Sequence, residues 1–314
     1  MPVIEVQHLR KVYRNNVAVD DVSFNVNRGE IFGYIGPNGS GKTTTIKVLT
    51  TLTPPTSGQI HVLGYRIGSE NESIRKRIGV VSQSESYESN LTLEGALDTY
   101  GLLWDVPKNL RAERTEELLK TFGLEDYRQR RVPELSLGLR RRLQVAREFM
   151  HEMELLFLDE PTIGLDPLSR IAFLDLIHSR AKAGMTIFFT THFLAEAEYL
   201  CDRMVMLSSG RVVWEGTPKD FKEKFGGLRT IEIGIRSGDA KRFVQTLETI
   251  KEIEMIAQSN EQQLKILTRE PAAIFSTIIR VADQLGITLD SISLEEPTLE
   301  QAFINFMKGR TGRQ

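Results

Sequence analysis

The residues most able to do chemistry form the segment Gly36-Pro37-Asn38-Gly39-Ser40-Gly41-Lys42-Thr43, which has the spacing G-x-x-x-x-G-K-[ST]. Glycine at these places lets phosphate oxygens approach the backbone itself, so that successive amide groups converge on a phosphate chain. Lys42 offers a point charge to the β and γ phosphates, the Thr43 hydroxyl can ligate Mg2+, and Thr44 carries the segment onward. Further along, Leu155-Leu156-Phe157-Leu158-Asp159-Glu160 is an apolar run closed by two acids. Alone it would read as a buried strand followed by a solvated acidic turn. Beside a phosphate loop, Asp159 reads as the metal holder and Glu160 as the general base for an attacking water.

A phosphate loop needs a strand before it and a helix after it. Residues 30–35 read as that strand, and a helix is expected from about Lys42. Upstream, residues 3–13 and 17–26 alternate apolar and polar side chains around the Arg14-Asn15-Asn16 turn, which makes a β-rich start. Residues 91–150 turn helical with a pause at 130–133. The apolar runs at 155–158 and 185–190 each follow a helical stretch, as buried parallel strands of an α/β core do, and short strands are expected at 204–207 and 211–214.

At Gly226-Gly227 the character changes, and no acid–base pair or metal cluster follows. The segments 229–235, 240–247, 252–257, 263–267, 272–285 and 288–294 read as β-α-β-β-α-β, the ferredoxin-like arrangement. A last helix, 298–307, would pack Leu299, Ala302, Phe303 and Phe306 on one face, ahead of a short polar tail after Lys308. Two domains are expected, 1–225 and 226–314, the first with a helical insert at about 91–150.

Composition removes several classes of function. Lysine plus arginine number 40 against 42 acids, so no global basic field exists to hold a nucleic-acid backbone. Cys201 is the single cysteine, which rules out an internal disulfide and Cys-rich zinc spacing and suits a reducing compartment. The first residues lack the apolar core of a signal peptide, and no run approaches the roughly 20 apolar residues that span a bilayer. The expected location is cytoplasmic, with any membrane role supplied by a partner.

Taken in order, these motifs give residues 3–225 a resemblance to an ABC ATPase: a P-loop NTPase cassette with a β-rich N-terminal subdomain, a RecA-like core and a helical insert. Gln83 matches the family's Q-loop, which implies contact with Mg2+ or water on one side and with a transporter subunit on the other. Ile163-Gly164-Leu165-Asp166-Pro167 resembles the D-loop, and Thr190-Thr191-His192 resembles the switch histidine that hydrogen-bonds the γ-phosphate. Tyr13 stands where the family stacks an aromatic ring on adenine. The signature motif departs from the family's Leu-Ser-Gly-Gly-Gln, reading Leu135-Ser136-Leu137-Gly138-Leu139. Ser136, Gly138 and Asp166 are implied to complete the nucleotide site of a second cassette, two such sites forming head to tail. Leu137 places a side chain where a glycine lets backbone approach phosphate, and a positive φ there would cost about 1 kcal/mol. The expectation is a weakened but working signature.

The resemblance implies ATP and Mg2+ as ligands, hydrolysis of ATP to ADP and phosphate, a second cassette in a homo- or heterodimer, and a separate transmembrane permease beside which the chain sits on the inner face of the cell membrane. The stretch Leu294-Glu295-Glu296-Pro297-Thr298-Leu299-Glu300-Gln301-Ala302-Phe303 resembles the small C-terminal domain on ATP-binding subunits of drug, antibiotic and lipid exporters. Two other readings compete. Soluble ABC ATPases acting on nucleic acid or ribosomes usually carry two cassettes or a long coiled-coil insertion, neither of which is present. A non-catalytic nucleotide-gated regulator is disfavoured by the retention of Lys42, Asp159, Glu160 and His192.

Overall fold

The computed structural model describes residues 2–84, 90–260 and 262–311, and the end of the expected polar tail, 312–314, lies outside them. The alternating start folds as two long strands, β1 (Pro2–Tyr13) and β2 (Asn16–Asn27), paired antiparallel with Tyr13 opposite Asn16. The apolar β3 (Ile31–Ile35) is buried at every position and leads through the glycine loop into α1 (Lys42–Leu49). Then come β4 (Ser57–Val62), β5 (Tyr65–Arg66), α2 (Asn71–Arg75) and β6 (Ile78–Val81). The helical insert consists of α3 (Leu93–Leu103), α4 (Lys108–Thr121) and α5 (Leu137–Glu148), and the expected pause falls at a short 3-10 turn, Val132–Glu134. The core resumes with β7 (Leu155–Asp159), α6 (Pro167–Lys182), β8 (Thr186–Thr191), α7 (Leu194–Leu200), β9 (Arg203–Ser208) and β10 (Arg211–Gly216).

These elements form two sheets, one ordered β2-β1-β4-β5 and one ordered β10-β9-β3-β8-β7-β6. The second is parallel except for β10. Its strands β3, β6 and β7 carry no charged residue before their last positions, as burial on both faces requires. Phe188 of β8 joins the two sheets, its ring centroid lying 5.3 Å from Tyr34, 5.5 Å from Phe157, 5.9 Å from Phe32 and 6.0 Å from Phe24. In register, Ile35 of β3 lies beside Thr191 of β8, and Asp159 of β7 beside Thr190. The polar residues that follow each strand are therefore delivered to one edge of the sheet, where α/β folds bind ligands.

The chain divides into compact units between Thr217 and Pro218. The second unit begins one helix ahead of Gly226, with α8 (Pro218–Phe225), because Phe221 and Phe225 pack on Phe306. It continues with β11 (Arg229–Ser237), α9 (Ala240–Leu247), β12 (Ile253–Asn260), β13 (Gln263–Thr268), α10 (Pro271–Gln284), β14 (Thr288–Glu295) and α11 (Leu299–Thr311). Its antiparallel sheet is ordered β12-β13-β11-β14. Ile231, Ile233 and Ile235 of β11 lie in its core with Phe243 of α9 and Ile274 and Ile278 of α10. Thr298 and Gln301 cap the start of α11 reciprocally, each side chain accepting from the other's backbone amide at 3.2 and 2.9 Å.

Candidate functional site

Burial and backbone geometry hold the phosphate loop closed around Lys42. A Cβ on Gly41, at φ 105°, would stand 2.6 Å from the Ala18 carbonyl oxygen, so only glycine fits where the loop crosses β2. Lys42 is 4% exposed, and its Nζ donates to the carbonyls of Gly36 at 2.7 Å and Pro37 at 3.2 Å. The same nitrogen lies 2.9 Å from Glu160 Oε1. Ser40 Oγ is buried and has no protein partner, an orphan that a phosphate oxygen or a metal-bound water would satisfy.

Glu160 follows β7 directly and takes φ 47°, a left-handed conformation that is uncommon for a non-glycine residue and points to a functional constraint. Thr190 fixes it there. The Glu160 amide donates to Thr190 Oγ1 at 3.0 Å and to its carbonyl at 3.1 Å, while Thr190 Oγ1 donates to Asp159 Oδ1 at 2.7 Å. Glu160 Oε2 lies 2.8 Å from His192 Nδ1. A carboxylate oxygen accepts, so Nδ1 carries the proton in this hydrogen bond. Behind His192, buried Glu196 accepts from Thr191 and from Thr162, both at 2.7 Å. Phe193 N donates to Thr191 Oγ1 at 2.9 Å, which ties the turn carrying His192 to that network.

Burial pushes the Asp159 carboxyl above its ordinary range, and the neighbouring Glu160 adds to this; hydrogen bonds from Thr190 and Thr43 and the charge of Lys42 pull it back. An acid in contact with the Thr43 hydroxyl and partly desolvated is a fitting place for a divalent cation, which binds through one or two protein oxygens and completes its shell with phosphate and water. Among the described residues no cluster of three metal-binding side chains occurs. The donor set therefore fits a cation that arrives with its phosphates.

Of these groups Gly41, Lys42, Thr43 and Glu160 open onto a cavity of about 590 Å³ lined also by Tyr13, Asn38, Gly39, Thr44 and Gln83, with Asp159 and His192 behind its lining residues through Thr43 and Glu160. Tyr13 is 41% exposed and has the Lys11 ammonium 4.8 Å from its ring centre. The sequence reading did not single out Val17, Ala18, Ser209 or Gly210, which line the same cavity. Val17, an apolar side chain left 39% exposed on a strand, is marked only by the structure and by no sign in the sequence.

The signature residues stand elsewhere in the first unit. Ser136 caps α5 by accepting from Leu139 N at 3.3 Å, and Asp166 caps α6 by accepting from Ser169 N at 3.0 Å. The Ser169 hydrogen bonds hold the exposed Asp166 carboxyl below the usual carboxylate range. A Cβ on Gly138 would stand 3.0 Å from Ser169 Oγ, so the two helix N-termini lie side by side, a pairing of positive dipole ends suited to an anion. Leu137 opens α5 and is absent from the residues with positive φ, so the backbone strain considered for it does not arise. Its side chain packs toward the D-loop, where a Cβ on Gly164 would meet Leu137 Cδ2 at 2.8 Å.

Comparison with known proteins gives a consistent set of likenesses. The family described as "ABC transporter" matches residues 19–163. The linearmycin resistance ATP-binding protein LnrL of Bacillus subtilis is 31% identical over 312 residues, 99% of this chain and 100% of that one. The doxorubicin resistance ATP-binding protein DrrA of Mycobacterium tuberculosis is 35% identical over 305 residues, covering 96% and 92% of the two chains. A solved structure titled as the ATP-binding subunit of an ABC transporter is 34% identical, with a TM-score of 0.64 over 71% of this chain and 93% of that one.

Proposed function

The chain belongs to the ABC transporter family as an ATP-binding subunit, an ATPase that energises transport by a separate membrane subunit, and from that premise we propose which of its residues do the work and for what cargo. The observation that carries the residue assignment is the convergence of Lys42, Asp159, Glu160 and His192 at one edge of the parallel sheet. Tyr13 stacks on adenine, the loop Gly36–Thr44 cradles the phosphates, and Thr43, Asp159 and Gln83 hold Mg2+. Bound there, the cation would neutralise charge on the β and γ phosphates.

Lys42 has two roles in this reading. Paired with Glu160, it keeps a buried carboxylate compensated. When γ-phosphate reaches the loop, the ammonium turns to it and Glu160 Oε1 becomes free to accept a proton from the attacking water. The bond from γ-phosphorus to its bridging oxygen breaks as the water oxygen attacks in line, giving ADP and phosphate. His192 holds Glu160 by Nδ1, and a proton on Nε2 would let the same ring donate to a phosphate oxygen. Positioning and charge stabilisation supply most of the rate in such reactions.

A second cassette completes each site with Ser136, Gly138 and Asp166, as homodimer or heterodimer. We assign the permease contact to the helical insert, where Leu102, Leu103 and Leu110 are exposed beside Trp104. Among the described residues no helix is long and apolar enough to cross a membrane, so that contact would keep the chain on the inner face. The relatives named for linearmycin and doxorubicin resistance support a drug-like cargo, and we extend the reading to export of drug-like or lipid-like compounds from the resemblance of residues 294–303. We read the second unit as a ferredoxin-like accessory domain that stabilises the dimer. The test is ATP hydrolysis by wild type and Glu160→Gln, with size-exclusion chromatography in ATP. The expected result is turnover by wild type and a trapped dimer for the variant; equal turnover by both would overturn the assignment of Glu160.

A further inference from the structure

β6 lies at the end of the six-stranded sheet and pairs with β7 alone, which leaves one row of its backbone groups without a strand partner. Backbone groups of alternate residues point to the same side of a strand. Side chains from α5 and the turn after it take up that row. His151 Nε2 donates to the Ile78 carbonyl at 3.2 Å, the Val80 amide donates to Glu148 Oε2 at 3.2 Å, and Arg141 Nη1 donates to the Ser82 carbonyl at 3.0 Å. The chemistry matches group by group, with an acid on the amide and cation or ring N–H donors on the carbonyls. Ser82 is already one residue beyond the strand, and Arg141 also donates through Nη2 to the carbonyl of the next residue, Gln83 itself. Only 2% exposed, it also donates to Gln144 Oε1 at 2.8 Å, so its fork is held from its own helix while gripping the loop.

The helix that makes this grip is the one Ser136 caps, and Gln83 lines the nucleotide cavity. We infer that Arg141 is a positioning residue, fixing the Gln83 loop to the signature helix so that Gln83 and Ser136 move as one body. The inference rests on the ATPase reading above. It explains why an arginine is needed: two carbonyls and an amide oxygen are held at once by a planar fork, which a lysine ammonium cannot match. A shift of Gln83 caused by a permease would be carried to the serine that serves the second cassette.

The test is steady-state ATP hydrolysis by four full-length proteins: wild type, Arg141→Met, Gln83→Ala and the double variant. Arg141→Met is expected to lower kcat about tenfold with KM for ATP within about twofold, and to add less than about twofold in the Gln83→Ala background, because it acts through that residue. Arg141→Lys should recover part of the loss. Multiplicative losses in the double variant, or an unchanged kcat in Arg141→Met, would overturn the inference. If Arg141→Met does not fold, hydrogen exchange in Arg141→Lys decides: faster exchange in the peptide spanning β6 and Gln83, with that of the Lys42 loop unchanged, supports the grip, and unaltered exchange removes it. A wild type without ATP turnover would instead sink the ATPase reading, and the exchange measurement would still decide the grip.

Discussion

The phosphate end and the signature end of the first unit use polar residues in opposite ways. At the phosphate end Lys42, Asp159 and Glu160 are each 5% exposed or less, and each is held by partners from other strands or loops. At the signature end Ser136 and Asp166 are exposed, and each accepts from an amide of the helix it caps. Desolvated charges need compensation on the spot, so the first set must be complete within the chain. Capping residues on two adjacent helix N-termini satisfy their own helices and still present a positive dipole outward. In the proposed reading, the difference is that between a site finished by folding and a half-site finished by a second cassette.

The largest effect should come from breaking the finished side. Glu160→Gln keeps the shape and loses the proposed base, so kcat is expected to fall by about 10²-fold or more while ATP still binds. ATP binding measured by fluorescence quenching alongside turnover would separate the two. A joint loss of binding would mean that the Lys42–Glu160 pair is needed to shape the loop.

That finished side was also the more legible. The glycine spacing and the acids after an apolar run mark it because backbone access to phosphate and strand-end placement each demand particular residue types. Thr190 stands in the sequence only as part of a stretch, and its three bonds to the Asp159–Glu160 corner carry no pattern of their own, since they depend on β7 and β8 being neighbours. The same holds for Glu196, which joins Thr162 to Thr191 from α7. β4 and β5 were not anticipated, because β4 pairs with β1 from far along the chain and β5 is two residues long. In the second unit the alternation of β11 and the face of α11 could be read from side-chain period, whereas α8 could not be assigned to that unit without seeing Phe221 and Phe225 against Phe306.

Ser136→Ala tests the half-site with a smaller effect. Loss of the cap is expected to cost about 1 kcal/mol of stability. If the serine also serves a second cassette, the ATP-trapped dimer of a Glu160→Gln background should weaken by more than that capping loss, read by sedimentation against ATP concentration. A loss confined to stability would reduce Ser136 to a cap.

Leu137→Gly sharpens the same boundary in the other direction. If the signature serves a second nucleotide as proposed, removing the side chain that packs toward Gly164 would clear the path to it, and a few-fold tighter ATP-driven dimer is expected. A glycine within the first helical turn should cost about 0.5–1 kcal/mol in thermal stability. An unchanged dimer affinity would show that the departure from the family's signature is neutral.

The smallest effect concerns pH, and it asks whether the signature helix shares the buried-charge character of the phosphate end. Glu148, 3% exposed on α5, accepts from Tyr100 and Val80 and lies 3.5 Å from Arg147, yet burial outweighs these contacts and holds its carboxyl above the ordinary 4.5. Below that value the carboxyl is protonated in both folded and unfolded chains. As pH rises past it, the unfolded chain releases the proton first, the folded chain binds more protons, and stability falls until the folded carboxyl has ionised. Asp159 contributes with the same sign. Glu148→Gln removes one of the two contributions, so its melting temperature should decline less steeply with pH than that of wild type, by roughly 2–4 °C per kcal/mol for a chain of this size. Parallel melting curves across the window would mean that Arg147 compensates Glu148 fully, leaving the signature helix without a buried charge cost.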